Sequence, residues 1–358
     1  MAEQFFPLTV AEVRPETAEA VSIRLDPPAD ARARFAFRAG QHLTLRAVIG
    51  GADVRRNYSL CVSPLDGELR IAVKRIAGGV FSNWANEALV PGATIEAMPP
   101  HGSFTFDFAP AHARNYLGIA GGSGITPVLS LARTALAVEP GSRFTLLYGN
   151  RASHTVMFLE DIAALKDRHI GRFAAYHFLE DEADEIELLN GRLDEAKWLE
   201  LIGTLVDPAT VDAAFVCGPG PMMDAAETAL LAAGLPRERV LIERFTAGRP
   251  SASVAAAMAA RVEAAQGLRF GAVLDGRKRM VAFDAVAGNI LDSARAAGLP
   301  APYACKAGVC ATCRARVVSG RVEMAARYGL TDEEVAAGYV LTCQTVPLSD
   351  DVVIDYDG

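Results

Sequence analysis

Near its carboxyl end the sequence reads ACKAGVCATC from Ala304 to Cys313, spacing Cys305, Cys310 and Cys313 as C-x4-C-x2-C, and Cys343 follows after a gap of 29 residues. This is the plant-type spacing for a 2Fe-2S cluster, because two bridged irons need four thiolates, three from one tight loop and one from a distant segment. The small residues Ala307, Gly308, Ala311 and Thr312 leave backbone amides free to point at the sulfurs, which stabilises negative charge there. A structural zinc site and reduced cysteines buried as small hydrophobes are the competing readings. Zinc favours paired C-x2-C knuckles, and the sequence has one such pair. The four cysteines are therefore expected to ligate a cluster, with Cys61 and Cys217 outside it.

A length of 358 residues suggests two or three domains. The 51% hydrophobic and 22% charged residues are those of a globular chain, and no apolar run approaches the ~18 residues of a membrane span. The formal charge of -8 argues against non-specific nucleic-acid binding, leaving proteins and small molecules as expected partners. The opening MAEQFFPLTV carries no basic region followed by an apolar stretch, so no secretory signal is expected and the default address is cytoplasmic. In that compartment thiols stay reduced, which favours metal ligation over a disulfide framework.

From Leu8 to about Phe108, short alternating segments such as His42 to Arg46 and Leu69 to Val73 are broken by Gly and Pro turns, which predicts an antiparallel barrel over residues 1–110. Apolar runs then alternate with helical stretches: YLGIA, a helix from Pro127, FTLLYG, a helix near Phe158, FAAYHFL, AAFVCG and a helix from Pro221. This alternation predicts a parallel α/β sheet over 111–245, with ligands at the carboxyl ends of its strands. Residues 246–264 read as a linker, although their alanines are equally able to form a short helix. A small α+β domain is expected over 265–358. There Asp275-Gly276 marks a hairpin, Asn289 to Ala297 a helix, and Thr331 with Glu334 the capping box of a second helix.

Three motifs complete the constellation. Arg56-Asn57-Tyr58-Ser59 ends a predicted barrel strand, where Arg56 can hold a pyrophosphate, Tyr58 can pack beside a flavin ring and Ser59 can bond a ring nitrogen. Gly79 and Ser82, ahead of a helical stretch, suit a phosphate. GGSGITP, from Gly121 and Gly122 through Gly124 to Thr126 and Pro127, follows an apolar strand and opens a helix, with Thr126 as expected N-cap and Pro127 as first helical residue. Cys217, Gly218 and Pro219 form a second turn at another strand end, strengthening the case for a dinucleotide crevice. Cys217 either faces a nicotinamide or simply packs. Arg151 is either a solvated cation or a contact for a 2'-phosphate, which would favour NADPH. Taken singly, each motif is also compatible with ordinary strand surface or a tight turn.

In their order, RNYS, GGSGITP, CGPG and ACKAGVCATC resemble the ferredoxin-NADP reductase superfamily fused to a plant-type ferredoxin, over nearly the whole chain. The resemblance implies a multidomain fold: a FAD-binding antiparallel β-barrel, an NAD(P)-binding α/β parallel-sheet domain and an α+β β-grasp ferredoxin domain. It also implies FAD on Arg56, Tyr58, Ser59, Gly79 and Ser82, and NADPH, or NADH, on the glycine and CGPG turns. A narrower resemblance, carried by ERF at Glu243 to Phe245, AAGYVLTCQ from Ala336 and the ending DVVIDYD, is to reductase components of phenylacetyl-CoA epoxidase complexes. Hydride carries two electrons and a 2Fe-2S cluster accepts one, so the expected route runs from NADPH through FAD to the cluster and on to a di-iron oxygenase. A reductase for another aromatic-ring or alkane oxygenase, and a non-catalytic zinc-stapled nucleotide-binding protein, are the alternatives. From Ala265 onward the chain has 11 acidic and 10 basic residues, so charge alone identifies no docking face.

Overall fold

The structure, a computed structural model, describes residues 4–246 and 252–358. It divides into two compact units, Phe5–Glu243 and the residues from Arg244 onward, the latter joined by Gln4.

The first unit opens with strands β1 (Phe6–Thr17), β2 (Ala20–Asp26), β3 (His42–Ile49), β4 (Ala52–Ser59) and β5 (Leu69–Lys74), then helix α1 (Val80–Ala88) and strand β6 (Thr94–Ala97). They form a six-stranded antiparallel sheet in the order β4-β3-β6-β1-β2-β5. A bridge between Leu60 and Ile71 brings its two edges together. Leu8 and Val10, Ile23 and Leu25, Leu43 and Leu45, and Ile71 and Val73 are each two apart on one strand and fully buried. That period of two turns one face of every strand inward and fills the barrel. Phe81 and Ala85 of α1, four apart, press into the same core with Leu89 just beyond the helix.

The chain continues through β7 (Asn115–Gly121), α2 (Ile125–Val138), β8 (Arg143–Asn150), α3 (Leu159–Arg168), β9 (Phe173–Leu179), α4 (Glu195–Leu201), β10 (Ala213–Cys217), α5 (Gly220–Ala232) and β11 (Val240–Glu243). The five strands are parallel in the order β11-β10-β7-β8-β9. Tyr116 and Ala120 of β7 enter one core while Leu117 and Ile119 enter the other, so both sheet faces are covered. This explains runs such as AAFVC, buried at every position. The first of these cores also takes in Cys61, Val62 and Phe104 from the barrel, so barrel and sheet share packing.

One local expectation fails. The helix after β7 starts before Thr126: Gly122–Gly124 form a 3-10 turn, α2 follows from Ile125, and Gly124 occupies the cap position. Thr126 and Pro127 are buried inside the first turn, and the Thr126 hydroxyl donates to Ser123 O at 3.0 Å, so it satisfies itself locally instead of capping amides.

In the second unit, residues 247–251 of the expected linker lie outside the described residues, and α6 (Ala252–Ala264) occupies the rest of that stretch. Then come β12 (Arg269–Leu274), β13 (Arg277–Ala282), α7 (Ile290–Ala296), β14 (Arg314–Ser319), β15 (Val322–Met324), α8 (Asp332–Ala336), β16 (Tyr339–Leu341), β17 (Thr345–Pro347) and β18 (Val353–Asp355). The main sheet runs β13-β12-β18-β14-β16, with β15 and β17 paired beside it. Asp275 and Gly276, at φ 52° and 70°, make the tight turn of the first hairpin, as the Asp-Gly pair predicts. Asn289 caps α7 through the amide of Asp292, and Thr331 with Glu334 forms a complete capping box on α8.

Candidate functional site

In the parallel sheet the connections leave β7 toward β8 on one side and return to β10 on the other, so the order reverses between β7 and β10. In such sheets a crevice opens at the carboxyl ends of the two strands flanking the reversal. Those ends carry the GGSG and CGPG turns. A Cβ at Gly124 would lie 2.1 Å from Cys217 O, and one at Gly121 2.6 Å from the Pro219 ring. These glycines are thus fixed first by packing of one turn against the other. Gly122 adopts φ 52°, and its carbonyl accepts from the buried Tyr148 hydroxyl at 2.9 Å. No side chain among the described residues caps the amides at this helix start, which leaves them available to an anion.

Two residues outside the sequence motifs face the same edge. The half-buried Lys74, at the end of β5, brings its ammonium within 3.8 Å of where a Gly122 side chain would begin. It has no hydrogen-bond or ion-pair partner among the described residues. Burial holds its pKa below the ordinary lysine value. At the end of β8, both side-chain polar atoms of the buried Asn150 lack partners among the described residues. Buried polar atoms are normally bonded, so an orphaned amide here fits a ligand's polar groups. The neighbouring Arg151 points its guanidinium at Glu19, 3.0 Å away.

Across the barrel edge, Arg56 is exposed and meets no carboxylate among the described residues, donating instead to Arg55 O at 2.7 Å. Tyr58 lies against Phe81, ring centroids 5.6 Å apart, and burial pushes its phenol pKa well up. Gly79 caps α1 without a side-chain bond to the first-turn amides. Ser82 Oγ accepts from Ile76 N at 3.2 Å, so that hydroxyl is already engaged in shaping the turn. The fold therefore sets the end of β4 beside the start of α1, with a cation, an aromatic ring and free amides, a set suited to a flavin and its pyrophosphate.

Ser59 leads to a group that joins residues of separate motifs. Its hydroxyl donates to Glu243 Oε2 at 3.2 Å, while His42 Nδ1 lies 3.7 Å from Oε1. The His101 ring stands edge-on to His42 at 4.4 Å. Cys217 is paired with Glu243 in the β10-β11 register. Burial pushes the Glu243 carboxyl up to about 8, with the Ser59 bond pulling the other way, and burial also raises the Cys217 thiol. The structure thus gathers Ser59 and Cys217, 158 positions apart in sequence, around one carboxyl whose pKa burial raises. In the sequence Glu243 stands out only as the acid closing the apolar strand Val240–Glu243 and as the first residue of the ERF stretch, neither of which points to Ser59 or His42.

The four cysteines of the carboxyl-terminal unit come together as two pairs, Cys305 beside Cys310 and Cys313 beside Cys343, each member shifting the other's thiol pKa. Within each pair the neighbouring thiol holds Cys310 and Cys343 below the ordinary thiol value. Ala307 N donates to Cys305 Sγ at 3.3 Å and Cys305 N to Cys310 Sγ at 3.5 Å. Amides of Val309, Thr312 and Gly308 reach the sulfurs of Cys305, Cys310 and Cys343 in turn. The loop reaches this form with Lys306, Gly308 and Ala311 at positive φ, two of them non-glycine residues in a sparsely populated region. Gln344 ties the distant strand back, donating to Lys306 O at 3.1 Å. Two adjoining sulfur pairs, each served by amides, fit two irons with two thiolates apiece. Among the described residues, no three His, Cys, Asp or Glu side chains are arranged to share one metal ion. Lys306 and Arg314, which flank the loop, are paired with Asp292 and Glu334.

Comparison with known proteins gives the same three parts in the same order. An oxidoreductase FAD-binding domain matches residues 8–106, an oxidoreductase NAD-binding domain 119–228, and a 2Fe-2S iron-sulfur cluster binding domain 273–348. Fold and site together define a FAD-, NAD- and 2Fe-2S-binding oxidoreductase. The chain is 44% identical over 353 residues to a 1,2-phenylacetyl-CoA epoxidase subunit of Escherichia coli strain K12, covering 99% of this chain and 98% of that protein. It is 34% identical to the ferredoxin reductase component of the 3-ketosteroid-9-alpha-monooxygenase of Rhodococcus rhodochrous, covering 98% and 96%. Among solved structures, phthalate dioxygenase reductase shares the fold with a TM-score of 0.58 at 24% identity, covering 98% of each chain. The chain belongs to the family of flavin- and iron-sulfur-dependent oxygenase reductases, the ferredoxin-NADP reductase fold joined to a 2Fe-2S ferredoxin.

Proposed function

We propose that this protein draws electrons from NADPH and delivers them to a di-iron oxygenase that epoxidises the aromatic ring of phenylacetyl-CoA. The observation that carries the oxygenase assignment is full-length identity of 44% to the Escherichia coli epoxidase component. Bound FAD and the 2Fe-2S cluster would supply the conversion of a two-electron hydride donor into single electrons.

The chain's own residues have narrower tasks in this reading. Arg56, Gly79 and the first-turn amides of α1 hold the flavin's pyrophosphate, while Tyr58, backed by Phe81 of the barrel core, packs beside its ring. Gly121, Gly122, Gly124, Thr126, Gly218 and Pro219 shape the crevice for the dinucleotide, with Lys74 and Arg151 as its cations. Cys217, fully buried, keeps the reacting face dry. Glu243, burial of which favours its neutral form, accepts from Ser59 Oγ and lies beside His42 Nδ1, fixing the serine hydroxyl at the end of β4. Cys305, Cys310, Cys313 and Cys343 bind the cluster. Barrel, parallel sheet and ferredoxin domain are assigned to 1–110, 111–245 and 265–358. No helix among the described residues is long and apolar enough to cross a membrane, and a cytoplasmic address accords with six free cysteines.

The test is NADPH-driven turnover of phenylacetyl-CoA with the candidate oxygenase. Turnover is expected. Failure alongside brisk reduction of an artificial acceptor rejects the epoxidase partner and points to another oxygenase, such as one of the steroid type.

A further inference from the structure

A cavity of about 230 Å³ opens beside the carboxyl end of β8, lined among others by Thr17, Glu19, Arg151, His154 and Asp181. Its two sides come from different sheets, since Glu19 sits in the tight turn between β1 and β2 of the barrel and Arg151 just after a strand of the parallel sheet. Both are fixed by their backbones. Arg75 N donates to Glu19 O at 2.7 Å, and Asp181 N donates to Arg151 O at 2.8 Å. Their side chains meet at 3.0 Å, with Arg151 56% and Glu19 49% exposed. Lys74, next to Arg75, continues the charged line from this pair to the Gly122 turn.

A dinucleotide whose diphosphate rested on the Gly122 turn and Lys74 would have Arg151 and Glu19 within reach of its adenosine ribose along this edge. NADPH and NADH differ there by one group. A 2'-phosphate asks for a cation, and a 2'-hydroxyl asks for an acceptor. The cavity holds one of each, and they are bonded to one another.

We propose that Glu19 is a specificity-determining residue for the cosubstrate: by holding the Arg151 guanidinium it competes with a 2'-phosphate and offers a carboxylate to a 2'-hydroxyl. This rests on reading the sheet edge as the nicotinamide cofactor's site. The competition is mild, because an exposed ion pair breaks readily, and it narrows the preference for NADPH without reversing it.

The test uses the flavin- and cluster-loaded full chain and two probes, adenosine 2',5'-bisphosphate and AMP, measured by titration calorimetry. The quantity of interest is the ratio of their affinities. Glu19→Gln is expected to shift that ratio toward the bisphosphate by about three- to fivefold, the upper end of what an exposed ion pair commands. The gain shrinks as ionic strength rises, since the pair is open to solvent. Arg151→Gln is expected to push the ratio below that of the parent protein, and the double variant to match Arg151→Gln alone. A Glu19→Gln ratio that is unchanged with both probes bound overturns the role of Glu19 and leaves the cosubstrate reading standing. So does an equal gain in the Arg151→Gln background. A parent protein that binds neither probe, and whose flavin NADPH does not reduce, overturns both.

Discussion

Glu243 is a carboxyl whose ordinary pKa is 4.5 and which burial pushes up to about 8. Between those values the folded chain keeps the proton and the unfolded chain releases it. Folding stability contributed by this group is therefore greatest at low pH and declines as pH rises through that window. The groups facing it are Ser59, His42 and Cys217. Glu243→Gln keeps the shape and removes the titration, so the melting temperature of the variant should fall less than the parent's between pH 5 and 8 and exceed it at pH 8. A parent profile that is flat over this range would contradict the assignment. At Gly124, an added methyl runs into the 217–218 peptide group, at 2.1 Å from Cys217 O and 2.7 Å from Gly218 N, which is backbone and not the end of a flexible side chain. Gly124→Ala is expected to cost about 2 kcal/mol or more, read by chemical denaturation.

At the scale of elements, the approach to β7 is held by the carboxylate after α2. Burial works against the charge of Glu139, yet Ser142 Oγ at 2.6 Å, Ala109 N at 3.0 Å, the Tyr116 hydroxyl at 2.8 Å and His112 at 2.8 Å together hold its pKa below the ordinary value. A depressed carboxyl stabilises the fold above its unfolded pKa and loses that contribution as pH falls through the folded one. Glu139→Gln should destabilise the protein by about 2 kcal/mol at pH 7 and blunt its acid-side loss of stability, measured by melting temperature from pH 7 to 3. Elements whose signals are local were legible in the sequence. Asp275-Gly276 specifies its hairpin through two positive φ angles, and Thr331 with Glu334 specifies a helix start through two reciprocal bonds. The start of α2 was misread because Thr126-Pro127 carries a stronger capping signal than Gly122–Gly124, while the 3-10 turn depends on Tyr148, 26 positions away from Gly122.

At the scale of the molecule, chemistry concentrated in short motifs was readable and chemistry assembled across the fold was not. Four cysteines at a fixed spacing announce their cofactor without help from topology. Glu243 with Ser59 and His42, and Glu19 with Arg151, join segments 184 and 132 positions apart respectively for the Ser59 and Arg151 contacts, and no pattern in one segment signals the other. In the proposed route the carboxyl-terminal sulfurs carry electrons out of the protein. Cys310→Ser tests this most directly: with flavin content and NADPH-driven reduction of an artificial acceptor both retained, the variant is predicted to lose iron-sulfur absorbance and with it reduction of the oxygenase. Oxygenase reduction at the parent rate, with the cluster absorbance gone, would contradict it.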